Sequence, residues 1–158
     1  MCDGFILMTN DEKFMKLAIK EAYKAEALDE VPVGCVIVKD NKVIARGHNL
    51  RESKQDPTLH AEIVAIRKAC KKLHNWRLED TTIYITIEPC AMCAGTILWA
   101  RCKKIVYGAN DLKGGAITSS LKLFDAPNIN HHPEIVGGVL KEECADIIKS
   151  YFKKKREV

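Results

Sequence analysis

What the chain lacks narrows the field first. No apolar run approaches the roughly 20 residues that cross a bilayer as a helix, so a membrane bundle is excluded. There is no repeat, linker or low-complexity block, and with only 9 glycines and 5 prolines a collagen-like or disordered chain is excluded too. Neither sign of charge dominates. Lysine and arginine number 25 against 21 aspartates and glutamates, and the net charge of +4 is too small alone to assert a nucleic-acid partner. An export signal is also expected to be missing: the Phe5-Ile6-Leu7-Met8 run is too short, and Asp3 precedes it where a positive charge belongs. So is the even cysteine set of a secreted disulfide scaffold. The seven cysteines are Cys2, Cys35, Cys70, Cys90, Cys93, Cys102 and Cys144, several of them alone in apolar runs. The expectation is a reduced, cytoplasmic protein whose cysteines fill the core, bind metal, or do both.

What is present is an ordinary globular balance, 47% hydrophobic and 29% charged over 158 residues. That length suits a single domain, 1–158, with its own core. Thr9-Asn10-Asp11-Glu12 has the form of a capping box, and the helix behind it repeats apolar residues every three or four positions to about Leu28. Two β-rich runs, Val33–Val38 and Val43–Ala45, flank Asp40-Asn41 and predict a hairpin. Asp56-Pro57 predicts a helix from about Pro57 to Leu73, and Pro89 another to Ala100. Thr82–Ile87 and Lys104–Gly108 read as strands, and Ile135-Val136 as an edge strand. Residues 110–132 read as loops around a short helix, and a basic helix covers about 141–156. The order α-β-β-α-β-α-β-α implies one mixed sheet with helices on both faces.

Two short patterns carry chemistry, His60-Ala61-Glu62 and Pro89-Cys90-Ala91-Met92-Cys93. In a chain of this composition, chance gives the first about 0.4 times and the second on the order of 0.01 times, so the second is informative. Cys90 and Cys93 are three apart at a helix start, where the helix end favours thiolates. His60 adds an imidazole, making a nitrogen and sulfur set that suits Zn2+ with a catalytic water as fourth ligand. Glu62 is the natural group to move a proton from that water. One objection is geometric, since residues two apart on a helix do not share a face. It falls away if both helix N-termini point end-on at the metal. Two other readings stay open: a redox Cys-x-x-Cys pair, and a structural zinc knot completed by Cys102 or His48.

These residues resemble the zinc-dependent cytidine-deaminase-like enzymes and, within them, the bacterial tRNA-specific adenosine deaminases. The His-x-Glu and Pro-Cys-x-x-Cys signature marks the superfamily. The surrounding segments favour the tRNA branch: Val31-Pro32-Val33-Gly34, Asp56-Pro57-Thr58, Asn75-Trp76-Arg77-Leu78, Glu88-Pro89-Cys90, Tyr107-Gly108-Ala109 and Asn130-His131. The resemblance implies a three-layer α/β/α fold around a mixed, about five-stranded sheet. It also implies conversion of adenosine to inosine at the wobble position of a tRNA anticodon, one zinc per subunit, and a homodimer. His60, Cys90 and Cys93 are then ligands and Glu62 the proton shuttle. Asn49 would hydrogen-bond the purine, with Val33, Ala109, Asp111 and Asn130 in or beside the nucleotide pocket. Asn49 as a strand end and Asp111 as a turn residue remain the plain alternatives. Ile117-Thr118 departs from the smaller residues usual there and puts the local loop shape in question.

Positive charge gathers at the C-terminal end, where Lys149, Lys153, Lys154, Lys155 and Arg156 interleave with Tyr151 and Phe152. Tyr151, Phe152, Lys153, Lys154 and Arg156 are candidate RNA contacts, with cations for phosphates and a ring for an unstacked base. A solvated helix end that complements its own dipole is the alternative. Arg67, Lys68, Lys71 and Lys72 read as the solvent face of their helix. Deamination of a free guanine- or cytosine-type base with the same zinc site is the competing function. A silent RNA-binding subunit fits less well, since a structural zinc site has no use for Glu62.

Overall fold

The computed structural model describes residues 7–157. Cys2 and the Asp3–Ile6 part of the export argument lie outside the described residues. The capping box forms: Glu12 N–H donates to Thr9 Oγ1 and Thr9 N–H to Glu12 Oε1, each at 3.1 Å. It opens helix α1, Asn10–Ala27. Strands β1 (Gly34–Lys39) and β2 (Lys42–His48) make the expected hairpin, with Asp40 and Asn41 at φ 50° and 61° as a tight two-residue turn requires. A four-residue helix α2 (Arg51–Lys54) follows, which the sequence did not predict. Then come α3 (Ala61–Leu73), β3 (Thr81–Ile87), α4 (Ala91–Ala100), β4 (Lys104–Ala109), one 3-10 turn at Leu123–Asp125, β5 (Glu134–Val136) and α5 (Lys141–Arg156).

Two helix starts differ from the sequence expectation, and the reason is local. Asp56 does not cap a helix at Pro57. Its Oδ1 instead accepts the Thr58 N–H at 2.9 Å and the Thr58 hydroxyl at 2.7 Å, closing a turn. His60 is still extended, at φ −71° and ψ 160°, so α3 begins one residue later. Pro89 likewise precedes its helix, and its carbonyl accepts the Ala116 N–H at 2.8 Å. In each case the residue held back from the helix belongs to the metal-ligand pattern.

The sheet runs β2-β1-β3-β4-β5. β1 is antiparallel to both neighbours, whereas β3, β4 and β5 are parallel. Alternation along each strand feeds two cores. Cys35, Ile37, Ile83, Ile85, Ile105 and Tyr107 face α3 and α4. Val36, Val38, Tyr84 and Val106 face α1 and α5. The result is the three-layer α/β/α arrangement expected. α3 lies close on β2 at Gly47, where a Cβ would come within 2.5 Å of the Ala61 carbonyl oxygen. That approach sets the start of α3 against the sheet. Among the described residues no helix is long and apolar enough to cross a membrane.

Candidate metal centre and substrate cleft

His60 is the N-cap of α3 and Cys90 the N-cap of α4, and neither spends its side chain on capping. Both side chains are therefore free to project past their helix ends. Cys93 is the third residue of α4, a position adjacent in space to the N-cap. The geometric objection dissolves because His60 is not on the helix at all, while Glu62 is the second residue of α3. His60 Nδ1 lies 3.6 Å from Cys90 Sγ and 3.6 Å from Cys93 Sγ. Tetrahedral zinc with ordinary Zn–N and Zn–S bonds separates such ligand atoms by about 3.6 Å, so the group fits zinc. Hydrogen bonding from the Cys93 thiol, assisted by His60, lowers Cys90 to about 4. The same hydrogen bond and burial raise Cys93. The pair thus offers a ready thiolate.

Among the described residues, His60, Cys90 and Cys93 are the group of His, Cys, Asp or Glu side chains able to hold a metal. Cys102 is fully buried in the core facing α3 and α4, and His48 lies 3.3 Å from Glu21 Oε1, so neither supplies a fourth ligand. The structural-knot reading has no support here. His74 closes α3 in the left-handed conformation and is exposed, and His131 lies 2.6 Å from the Cys102 carbonyl through Nε2. Glu62 is 3% exposed, and burial pushes its carboxyl above the ordinary range against the opposing pull of its own N–H and His60.

His60, Glu62 and Cys90 line a cleft of about 320 Å³, a size usual for small-molecule sites. It is also lined by Val31, Val33, Asn49 and Arg51 from the segments flanking β1 and β2, by Ile87, Glu88 and Asp111 from the ends of β3 and β4, and by Ile148 and Phe152 of α5. Asn49 directly follows the last residue of β2, so it both ends the strand and reaches the cleft. Its amide makes two long bonds, donating to the Val31 carbonyl at 3.4 Å and accepting the Arg51 N–H at 3.3 Å. Asp111 lines the cleft and also holds a turn, accepting the N–H groups of Lys113 and Gly114.

Two residues carried by the resemblance are not among those that line the cleft. Ala109 pairs with Ile87 in the sheet but packs into the core facing α1 and α5. Asn130 is exposed, held by a 2.7 Å bond from Arg101 Nη1, and does not line the cleft. On α5, Phe152 is 42% exposed at the rim. The Tyr151 hydroxyl donates to the Asp29 carbonyl, and Lys155 pairs with Asp29. Lys153, Lys154 and Arg156 make no ion pair among the described residues. Arg67, Lys68, Lys71 and Lys72 are exposed on α3, as expected.

Two buried carboxylates at or beside the cleft were missed from sequence. Glu30, 0% exposed, accepts the N–H groups of Glu52 and Ser53 at 3.0 and 2.6 Å and so caps α2 beside the cleft. Glu88, 2% exposed, gathers the loop after β4. Burial pushes its carboxyl up, but the Ser119 hydroxyl and the N–H groups of Thr118, Ser119 and Ile117 outweigh this and hold it at about 2. Its place beside the Pro-Cys-x-x-Cys run was the available signal.

A family model for MafB19-like deaminases matches residues 9–156. The tRNA-specific adenosine deaminase of Bacillus subtilis (strain 168) is 49% identical over 150 residues, covering 95% of this chain and 93% of its own. The chain belongs to the tRNA-specific adenosine deaminase family. It is a deaminase, and its His-Cys-Cys group fits the zinc of that fold. A solved structure from work on A-to-I editing by tRNA:A34 deaminases at the wobble position of transfer RNA superposes with a TM-score of 0.83. That protein is 45% identical, with 85% of this chain and 98% of that chain covered. A guanine deaminase from Bacillus subtilis is similar at a TM-score of 0.64 and 36% identity, covering 95% of this chain and 96% of that chain.

Proposed function

We propose that this chain deaminates adenosine to inosine at the wobble position of a tRNA anticodon, using one zinc ion per chain held by His60, Cys90 and Cys93. The observation that carries it is the convergence of those three side chains and Glu62 on one cleft, in a chain 49% identical to a tRNA-specific adenosine deaminase. Held by His60, Cys90 and Cys93, zinc would supply a water that ionises near neutral pH.

The reaction consumes water and releases ammonia. The water oxygen first bonds to C6 of adenine, and the C6–N6 bond breaks only afterwards. Glu62 takes one water proton and places it on N1, then moves the second from the new hydroxyl to the departing N6. Its buried position keeps that carboxyl from bulk water. Asn49, held only by long bonds, exchanges them for contacts to the purine, while Val33 and Asp111 also contact the base. The target base must leave its stack, which an anticodon loop allows more cheaply than a duplex.

Phe152 at the rim offers a stacking face for a neighbouring base, with Lys153, Lys154 and Arg156 free for phosphates. On this account Tyr151 and Lys155 hold the tail in place through Asp29. A homodimer is supported by Met92 and Trp99, seven apart on α4 and both exposed, the latter at 71%. Residues 1–158 act as one deaminase domain, and the cytoplasm, with its reduced thiols and tRNA, is the compartment.

The 36% identical guanine deaminase favours one competing reading, hydrolysis of free guanine. Incubating the zinc-loaded protein with an adenosine-bearing anticodon stem-loop, and separately with guanine, decides between them. Inosine in the RNA is expected. Ammonia from guanine with unchanged RNA reverses the assignment.

A further inference from the structure

We infer that Glu88 is a positioning residue that folds the 110–119 loop into one wall of the cleft and thereby sets affinity for the nucleotide; this rests on the tRNA deaminase reading. Glu88 lies just beyond β3, two residues before Cys90, and its backbone N–H is tied to the Ala109 carbonyl at 2.8 Å. Three consecutive N–H groups, those of Ile117, Thr118 and Ser119, converge on Glu88 Oε2 at 3.0, 2.8 and 3.0 Å. Oε1 receives the Asp111 N–H and Asn110 Nδ2, each at 3.2 Å, and the Ser119 hydroxyl. Six donors therefore occupy the roughly four lone-pair sites of one carboxylate. A saturated carboxylate of this kind has no vacant site with which to carry a proton to substrate, which separates Glu88 from Glu62.

The donors span the loop from one end to the other, so the carboxylate sets its shape as an anion sets a nest of N–H groups. Gly115 shows how closely the two are fitted. A Cβ there would come within 2.5 Å of Glu88 Oε1 and 2.6 Å of the Asp111 carbonyl oxygen. The loop is also held by Ala116 N–H on the Pro89 carbonyl at 2.8 Å. Ile117 turns its side chain into the core, 4% exposed, and Thr118 Oγ1 meets the Tyr107 hydroxyl at 2.9 Å. Larger side chains at 117 and 118 thus leave the loop shape intact, because it is their N–H groups that face Glu88. The part of the loop delivered to the cleft is Asp111. His60 and Cys90 cap the N-termini of α3 and α4, and Glu62 and Cys93 lie in their first turns, so displacing the loop alters binding more than chemistry.

Glu88→Gln tests this, because an amide of the same shape presents N–H groups to donors that need an acceptor. With an anticodon stem-loop as substrate, KM is expected to rise about tenfold while kcat stays within about threefold. Amide hydrogen exchange is expected to quicken at 111 and 117–119 and to stay unchanged in β1 and β3. A merely structural lesion would instead lower the active fraction, and with it kcat, at unchanged KM, or quicken exchange throughout; either result overturns the inference. Should Glu88→Gln not fold, Ser119→Ala removes one donor, and the same KM rise with the same local exchange, both smaller, is required. Absence of inosine with the zinc-loaded wild type would count against the function reading alone, since exchange still decides the role of Glu88.

Discussion

Glu62 shows how the chemistry depends on one residue's exact place in a helix. As the second residue of α3 it points past the helix end with His60, where a mid-helix pair of the same spacing would diverge. Glu62→Ala is expected to keep zinc, measured as metal per chain after gel filtration, and to lose 10²-fold or more in turnover, on the order usual for a proton-transfer group. Retained turnover would reject the mechanism. The ligands were legible in the sequence because histidine and cysteine carry their chemistry in their identity. Glu30 and Glu88 were not, because their partners are backbone N–H groups brought up from distant segments, 52–53 and 110–119, and backbone groups carry no residue code. Glu30 has a pH signature of its own. Burial opposes ionisation, but the Ser53 hydroxyl and the N–H groups of Ser53 and Glu52 win, leaving its pKa below the ordinary 4.5. Its contribution is present above the unfolded value and disappears as pH falls through the lower folded value. Glu30→Gln is expected to cost about 1–3 kcal/mol at pH 7 and less at pH 4, read by urea denaturation.

At the scale of elements, strand and helix periodicity was enough to recover β1, β3, β4, α1 and α5 closely. The starts of α3 and α4 were placed too early for one shared reason. Asp56-Pro57 and Pro89 carry strong local start signals, but tertiary contacts hold His60 and Cys90 extended, which is what frees them to meet. α2 escaped notice because four residues have no periodicity and its cap comes from Glu30, far away in sequence. α5 was legible as a basic helix, and its division of labour was not. Lys155 and Tyr151 are engaged with Asp29, so the RNA role proposed for this helix end falls to the remaining cations. Replacing Lys153, Lys154 and Arg156 with alanine is expected to weaken stem-loop binding and to flatten the salt dependence of log Kd by about 2, at about 0.7 per single-stranded phosphate contact. An unchanged slope would make the tail a solvated helix end.

The whole molecule joins these parts through the sheet. Element order announced helices on both faces, but the strand order β2-β1-β3-β4-β5, with β1 antiparallel to β3 and β3 parallel to β4, comes from long-range pairing that no local pattern encodes. That order sets α3 and α4 on one face with their N-termini converging, and brings α5 from the opposite face to the rim of the same cleft. Metal chemistry at the floor and a cationic, aromatic rim are the combination expected of an enzyme that acts on one base within a folded RNA. The most direct test is to treat a full-length tRNA carrying adenosine at the first anticodon position with the zinc-loaded protein, then map inosine along the strand. Inosine at that position, with every other adenosine intact, is the expected result. No inosine, or inosine scattered among exposed adenosines, would contradict the account.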